Sequence, residues 1–164
     1  MIFGPDMLPL VLAGTKTMTT RTVQPSHRVS ASQVLVRKAA GYPVSPPRLG
    51  GLVFGGRYRC NGQYAVQPGR GKCGVGFIVI DQAQYVENAG GWHFEESAWA
   101  YEHGGLTTYT REGFASREAF ETEYTRLNGV SALGNPAWVY EFVLMQESPM
   151  PLIDQVLKCP GYNL

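Results

Sequence analysis

A loop-rich β or α+β domain is what this 164-residue chain predicts, and three observations predict it. The run from Ala137 to Met145 alternates Trp138, Tyr140, Phe142 and Leu144 against Val139, Glu141, Val143 and Met145, which is the two-residue period of a strand. The dipeptide Asn61-Gly62 stands between strand-forming runs and is the strongest hairpin signal in the chain. Twenty glycines and eleven prolines supply turn chemistry throughout, without a fixed-period repeat. With 44% apolar residues, the length suits one domain with a sizeable core.

Each element follows in order. Asp6 can cap a first helix in which Leu8, Val11 and Leu12 share a face, Pro9 is tolerated in the first turn, and Gly14 ends it. The β-branched residues Thr15, Thr17, Thr19, Thr20, Thr22 and Val23 then favour an extended chain, with Lys16 in the turn and Thr19 and Arg21 on one strand face. Residues 24–56 are rich in proline and glycine, and within them 33–40 is a short strand or helix carrying Arg37 and Lys38; the segment is a basic flap or a plain surface loop. Strands at 57–60 and 63–67 flank Asn61-Gly62, and a third begins at Val75 and reaches toward Val86. Residues 87–109 form a second polar, glycine-containing excursion with Trp92, Trp99 and Tyr101. Ser116 caps a helix running to Asn128, with Glu118 in its first turn, Phe120, Tyr124 and Leu127 on one face, and Gly129 after it. The final strand has little polar character on either face and belongs at the centre of the sheet. The domain therefore spans 1–148, with insertions at 24–56 and 87–109, and 149–164 is a proline-containing tail.

The stretch Gly14-Thr15-Lys16-Thr17-Met18-Thr19-Thr20-Arg21 gathers two cations and four hydroxyls beside a helix-ending glycine. It has the composition of a ligand site. A solvated threonine-rich strand with a lysine at its mouth is the plainer alternative. Glu112 lies in the short connection before the Ser116 cap, where it can turn inward without sacrificing a helix face; a surface glutamate is the ordinary case.

Charge is divided unevenly. Residues 1–80 hold ten basic groups and one acid, and residues 81–164 hold four basic groups and twelve acids. A basic half suggests a polyanionic partner, unless the halves interleave in space. Arg70 and Lys72 occupy a glycine turn suited to phosphate contacts and equally to solvated charge. Gly69-x-Gly71-x-x-Gly74 matches the dinucleotide fingerprint only in spelling, because a strand follows it. His93-x-Glu95 lacks the cysteine pair of a zinc deaminase, and neither the histidines nor Cys60, Cys73 and Cys159 have metal-ligand or disulfide-framework spacing. The expectation is a protein with no metal, cofactor or membrane span, in the reducing cytoplasm. Its oligomeric state stays open.

Taken together, Ala13 to Arg21 with its G-x-K-T-x-T-x-R pattern, the Gly62 to Gly71 strand and turn, Glu112-Gly113-Phe114 before a helix, and Trp138 to Phe142 resemble the ASCH-domain family. The resemblance covers residues 2–23, 57–80 and 110–145 in the family's order. It implies an α+β, PUA-like mixed β-barrel with flanking short helices, and recognition of RNA or a modified nucleoside. In one compact branch it implies hydrolysis of the acetyl amide of N4-acetylcytidine by a threonine, a lysine and a glutamate. Carried over by motif, these are Thr19, Lys16 and Glu112, with Arg21 as the family arginine. Other members are described as ribonucleases, so metal-independent RNA cleavage is a further alternative. In a binding protein without chemistry, Arg21, Arg70 and Lys72 would hold phosphate while Tyr64 or Trp92 stacks a base.

Overall fold

The computed structural model describes residues 1–23, 48–49, 52–53, 58 and 61–145. Its centre is a curled antiparallel sheet of four strands, a half-barrel flanked by short helices, and the α+β expectation holds. In chain order the elements are α1 (Leu8–Leu12), β1 (Met18–Thr22), β2 (Arg48–Leu49), β3 (Leu52–Val53), β4 (Gln63–Val66), β5 (Gly76–Val86), α2 (Ala89–Glu102), α3 (Thr108–Arg111), α4 (Arg117–Asn128), a 3-10 turn (Val130–Gly134) and β6 (Ala137–Met145). The sheet order is β1-β6-β5-β4, and β2 and β3 form a separate two-stranded ribbon.

The predicted final strand is β6, and it lies between β1 and β5 as its two apolar faces require. Trp138, Tyr140 and Phe142 enter one core with Met1, Phe3, Val11, Val66, Ile78, Ile80 and Ala83. Ala137 and Val139 enter a second core with Met18, Val86, Ala89, Tyr109, Phe120, Tyr124 and Ala132. The sheet is thus covered on one face by the N-terminal segment and α1, and on the other by α2, α3 and α4.

Residues 1–3 bridge the curl. Ile2 pairs in parallel with Gln67 just past β4, while its carbonyl accepts from Arg21 Nη2 of β1 at 2.8 Å. One short segment touches both edges of the half-barrel.

Several expectations need correction. The α1 N-cap is Met7, with no side-chain cap bond, so Asp6 does not cap it. Residues 87–109, expected as a polar excursion, contain the 14-residue helix α2, capped by Asn88 accepting from the Gly91 N–H. Its buried stripe is Ala89, His93, Ser97 and Ala100. Those residues keep a helical spacing but are too small and polar to register as an apolar face. Asn61 takes a left-handed φ of 58°, as a turn requires, and β4 pairs with β5. The strand expected at 57–60, apart from residue 58, and the segments 33–40 and 149–164 lie outside the described residues. Cys73 is disulfide-bonded, which corrects the expectation drawn from cysteine spacing. Bridging depends on Cα atoms coming within about 7 Å, a distance that sequence separation does not report. Among the described residues no helix is long and apolar enough to cross a membrane.

Candidate functional site

The site begins with two tight reversals that face each other. Gly14 ends α1 at φ +72°, and the N–H groups of Thr15 and Lys16 both reach the Leu10 carbonyl, at 2.9 and 3.0 Å. Glu112 caps the C-terminus of α3, and Gly113 at φ +86° turns the chain away immediately after it. The backbone bond from Thr17 N–H to the Arg111 carbonyl, 2.9 Å, ties these loops together. The Arg111 side chain adds a 2.6 Å ion pair to Glu141 on β6. Lys16 and Glu112 are thereby brought side by side.

Lys16 Nζ lies 2.9 Å from Glu112 Oε2, and it also donates to the Glu112 backbone carbonyl. The two residues are 4% and 3% exposed. Burial strips water from the ammonium and draws the Lys16 pKa below its ordinary value; the Glu112 charge and hydrogen bond oppose that shift, and the Arg21 charge reinforces it. For Glu112, burial pushes the pKa upward. The charges of Lys16 and His93 and the hydrogen bonds from Thr20 and Lys16 outweigh it, leaving the carboxyl below its ordinary value.

A polar chain runs from this pair into the helical layer. Thr20 Oγ1 donates to Glu112 Oε1 at 2.5 Å and lies 2.7 Å from His93 Nε2. His93 Nδ1 is 2.8 Å from Thr108 Oγ1, which is 2.6 Å from Ser97 Oγ. Burial lowers the His93 pKa to about 4, against the pull of Glu112 and with the help of Lys16, so the ring is neutral at pH 7. One assignment satisfies the shortest contacts. Thr20 spends its proton on Glu112 and must accept from His93 Nε2–H; His93 Nδ1 then accepts from Thr108, and Thr108 accepts from Ser97.

A cleft of about 1000 Å³ opens beside β1, lined by Lys16, Thr19, Thr20, Arg21, Glu112, Phe114 and Tyr124 together with the segment Ile2 to Met7 and the cleft-facing side of α4. Among the described residues, six charged ones line it: Asp6, Lys16, Arg21, Glu112, Glu123 and Arg126. They come from both halves of the chain and balance in sign. Lys16 is paired with Glu112, and Arg126 with Glu123 at 2.6 Å.

The structure brings four of the seven sequence-predicted residues to this cleft: Lys16, Thr19, Arg21 and Glu112. Thr19 is 5% exposed, but its hydroxyl bonds to neither Lys16 nor Glu112; the threonine that touches the pair is Thr20. Tyr64, Arg70 and Lys72 lie elsewhere. Tyr64 packs edge-on against Tyr58 at 4.9 Å, and Arg70 and Lys72 are exposed in the turn between β4 and β5. Trp92, the other proposed stacking residue, packs into the second core against His93. Sequence reasoning missed Thr20, His93 and Tyr124 as site residues. Thr20 sat within the motif and the spacing of His93 and Ser97 put them on one helix face, but only the fold joins them to Glu112. Among the described residues no three of His, Cys, Asp and Glu gather as a metal-holding group.

No family model matches the chain, and no curated protein is similar in sequence. Among solved structures, the chain is similar to a serine-to-alanine mutant of ZmASCH from Zymomonas mobilis. The TM-score is 0.42 and the identity 14%, over 100% of this chain and 80% of that one.

Proposed function

We propose that this cleft binds a modified nucleoside of the N4-acetylcytidine class. The observation that carries the reading is a buried Lys16–Glu112 pair in the wall of a cleft with room for a nucleoside, whose described charges balance. A buried ion pair is a poor stabilising device, so its presence at a concave surface favours a functional role. RNA binding through phosphates calls for unneutralised cations, and of the three cations among the described lining residues, Lys16 and Arg126 are paired with carboxylates. The G-x-K-T-x-T-x-R resemblance supports the same ligand class. Titration calorimetry tests it with N4-acetylcytidine and a single-stranded RNA oligonucleotide at roughly 50 and 200 mM salt. The expected result is nucleoside binding that is nearly independent of salt. Binding of the oligonucleotide alone, weakening steeply with salt, would refute the proposal.

The presence of Lys16, Thr19 and Thr20 along one cleft favours a second reading, that the bound amide is hydrolysed. A lysine that gives up its proton readily can act as base toward a threonine hydroxyl. The threonine oxygen attacks the acetyl carbonyl carbon, the C–N bond breaks, and Lys16 returns the proton to the departing amine. Water then hydrolyses the acyl-threonine to release acetate. Arg21 would stabilise the charge on the carbonyl oxygen, and Glu112 holds the lysine in place. The motif assigns Thr19 as nucleophile, whereas contact with Glu112 favours Thr20. Acetate release from N4-acetylcytidine should fall by about two orders of magnitude or more in whichever of Thr19→Ala and Thr20→Ala removes the nucleophile, and in Glu112→Gln. Undiminished release in all three variants refutes the mechanism, and new termini on a labelled RNA would point to ribonuclease activity instead.

A further inference from the structure

Buried polar atoms without a hydrogen-bond partner are unusual in a folded chain, and where they line a cleft they point to a ligand. Among the described residues, Arg21 Nε, Trp92 Nε1, Tyr109 OH and Tyr124 OH are in this condition. Arg21 and Tyr124 line the cleft; Trp92 and Tyr109 do not. Tyr124 is 5% exposed, and its ring is held by stacking on Phe120, with centroids 5.4 Å apart and planes 24° from parallel. The Arg21 guanidinium is held by its Nη2 bond to the Ile2 carbonyl and lies over the Phe3 ring, 5.8 Å from its centroid. Both side chains are therefore held in place.

The chemistry of these donors indicates what they receive. Burial, with the Glu112 charge in support, raises the Tyr124 pKa to about 12, so the phenol keeps its proton at neutral pH. It is available to donate to an acceptor oxygen. Desolvating an unpaired phenol has a free-energy cost that a ligand's hydrogen bond would offset. The charges of the described lining residues balance and so give little net attraction to a phosphate, which favours an uncharged acceptor.

We propose that Tyr124 is a specificity-determining residue whose O–H donates to a carbonyl oxygen of the ligand held in the cleft. This rests on the nucleoside reading above and adds to it a donor from α4 that the sequence motif does not contain. Titration calorimetry with N4-acetylcytidine on the wild type and on Tyr124→Phe, together with thermal unfolding of both without ligand, tests it. The variant is expected to bind roughly 3- to 10-fold more weakly, the loss of one hydrogen bond, and to unfold at a midpoint no lower than that of the wild type. Unchanged affinity in a variant whose parent binds would overturn the Tyr124 assignment alone. No binding by the wild type would overturn the nucleoside reading and the Tyr124 assignment with it. A midpoint lowered by more than about 4 °C, the shift expected of roughly one lost structural bond, would mean that the phenol is bonded within the fold, and would also overturn the assignment. A measurement that needs no variant compares N4-acetylcytidine with its 5′-monophosphate on the wild type. Equal or weaker binding of the phosphate form is expected, and binding more than about tenfold tighter would overturn the preference for an uncharged ligand.

Discussion

Lys16 and Glu112 stand 96 residues apart in the chain and 2.9 Å apart in the fold. Removing one partner of such a pair leaves the other buried without a countercharge, typically at about 3–5 kcal/mol. Lys16→Met should therefore lose stability on that scale in urea unfolding at neutral pH. Adding Glu112→Gln to Lys16→Met should recover a large part of the loss, because the stranded charge is gone. If the two losses simply add, the pair is not coupled as its geometry indicates. This is also where sequence reasoning reached furthest and then stopped. It named Lys16 and Glu112 separately, from a turn and from a helix approach. It chose Thr19 by motif spacing, while the hydroxyl that meets Glu112 is that of Thr20, because alternate residues of β1 face opposite sides of the sheet.

At the scale of elements, local signals were legible where they were chemical. Ser116 accepts from Ala119 N–H at 3.2 Å at the start of α4, as its position before the helix predicted. Ser116→Ala should lower stability by about 1 kcal/mol, the usual value for a lost cap. Asp6→Ala should change it by less than about 0.5 kcal/mol, since Asp6 makes no cap bond. Equal losses in thermal or urea unfolding would contradict the observed cap geometry. Gly113→Ala places a side chain at φ +86° and its Cβ 3.0 Å from Leu10 Cδ1, so a loss of about 1–2 kcal/mol is expected. It should also loosen the Lys16–Glu112 contact, because that glycine turns the chain directly after Glu112. The helix α2 was not legible as an apolar face. Its buried face is Ala, His, Ser and Ala, and a polar stripe becomes a packing face only when Thr108 and Thr20 supply partners from other elements.

For the whole molecule, that polar chain makes stability depend on pH. The imidazole of His93 titrates near 6.5 in an unfolded chain and near 4 in the folded one. Between those values the unfolded chain binds a proton that the folded chain refuses, so acidification favours unfolding. Stability should fall by about 3 kcal/mol as the pH drops from 6.5 through 4. Glu112 adds a loss at lower pH. Its folded pKa lies below its ordinary value, so the stability it contributes is present above about 4.5 and disappears as the carboxyl protonates in the fold. Urea unfolding across pH 7 to 4 measures the His93 contribution, and His93→Gln should flatten that window. An unflattened profile would assign the acid sensitivity to other groups.

The sequence by itself determined the strands β5 and β6, the helix α4 with its cap and stop, the turn after α1, and the residues Lys16 and Glu112 as candidates. Each of these rests on periodicity or capping, which act over a few neighbouring residues. Only the tertiary structure decided that Thr20 and His93 meet that pair, that Tyr124 lines the same cleft, that Tyr64, Arg70 and Lys72 stand apart from it, and that the charges of its described lining residues balance. Those outcomes depend on sheet order, on the curl that lets residues 1–3 touch both edges, and on the backbone bond between Thr17 and Arg111. Such contacts join residues far apart in the chain, and local pattern carries no record of them.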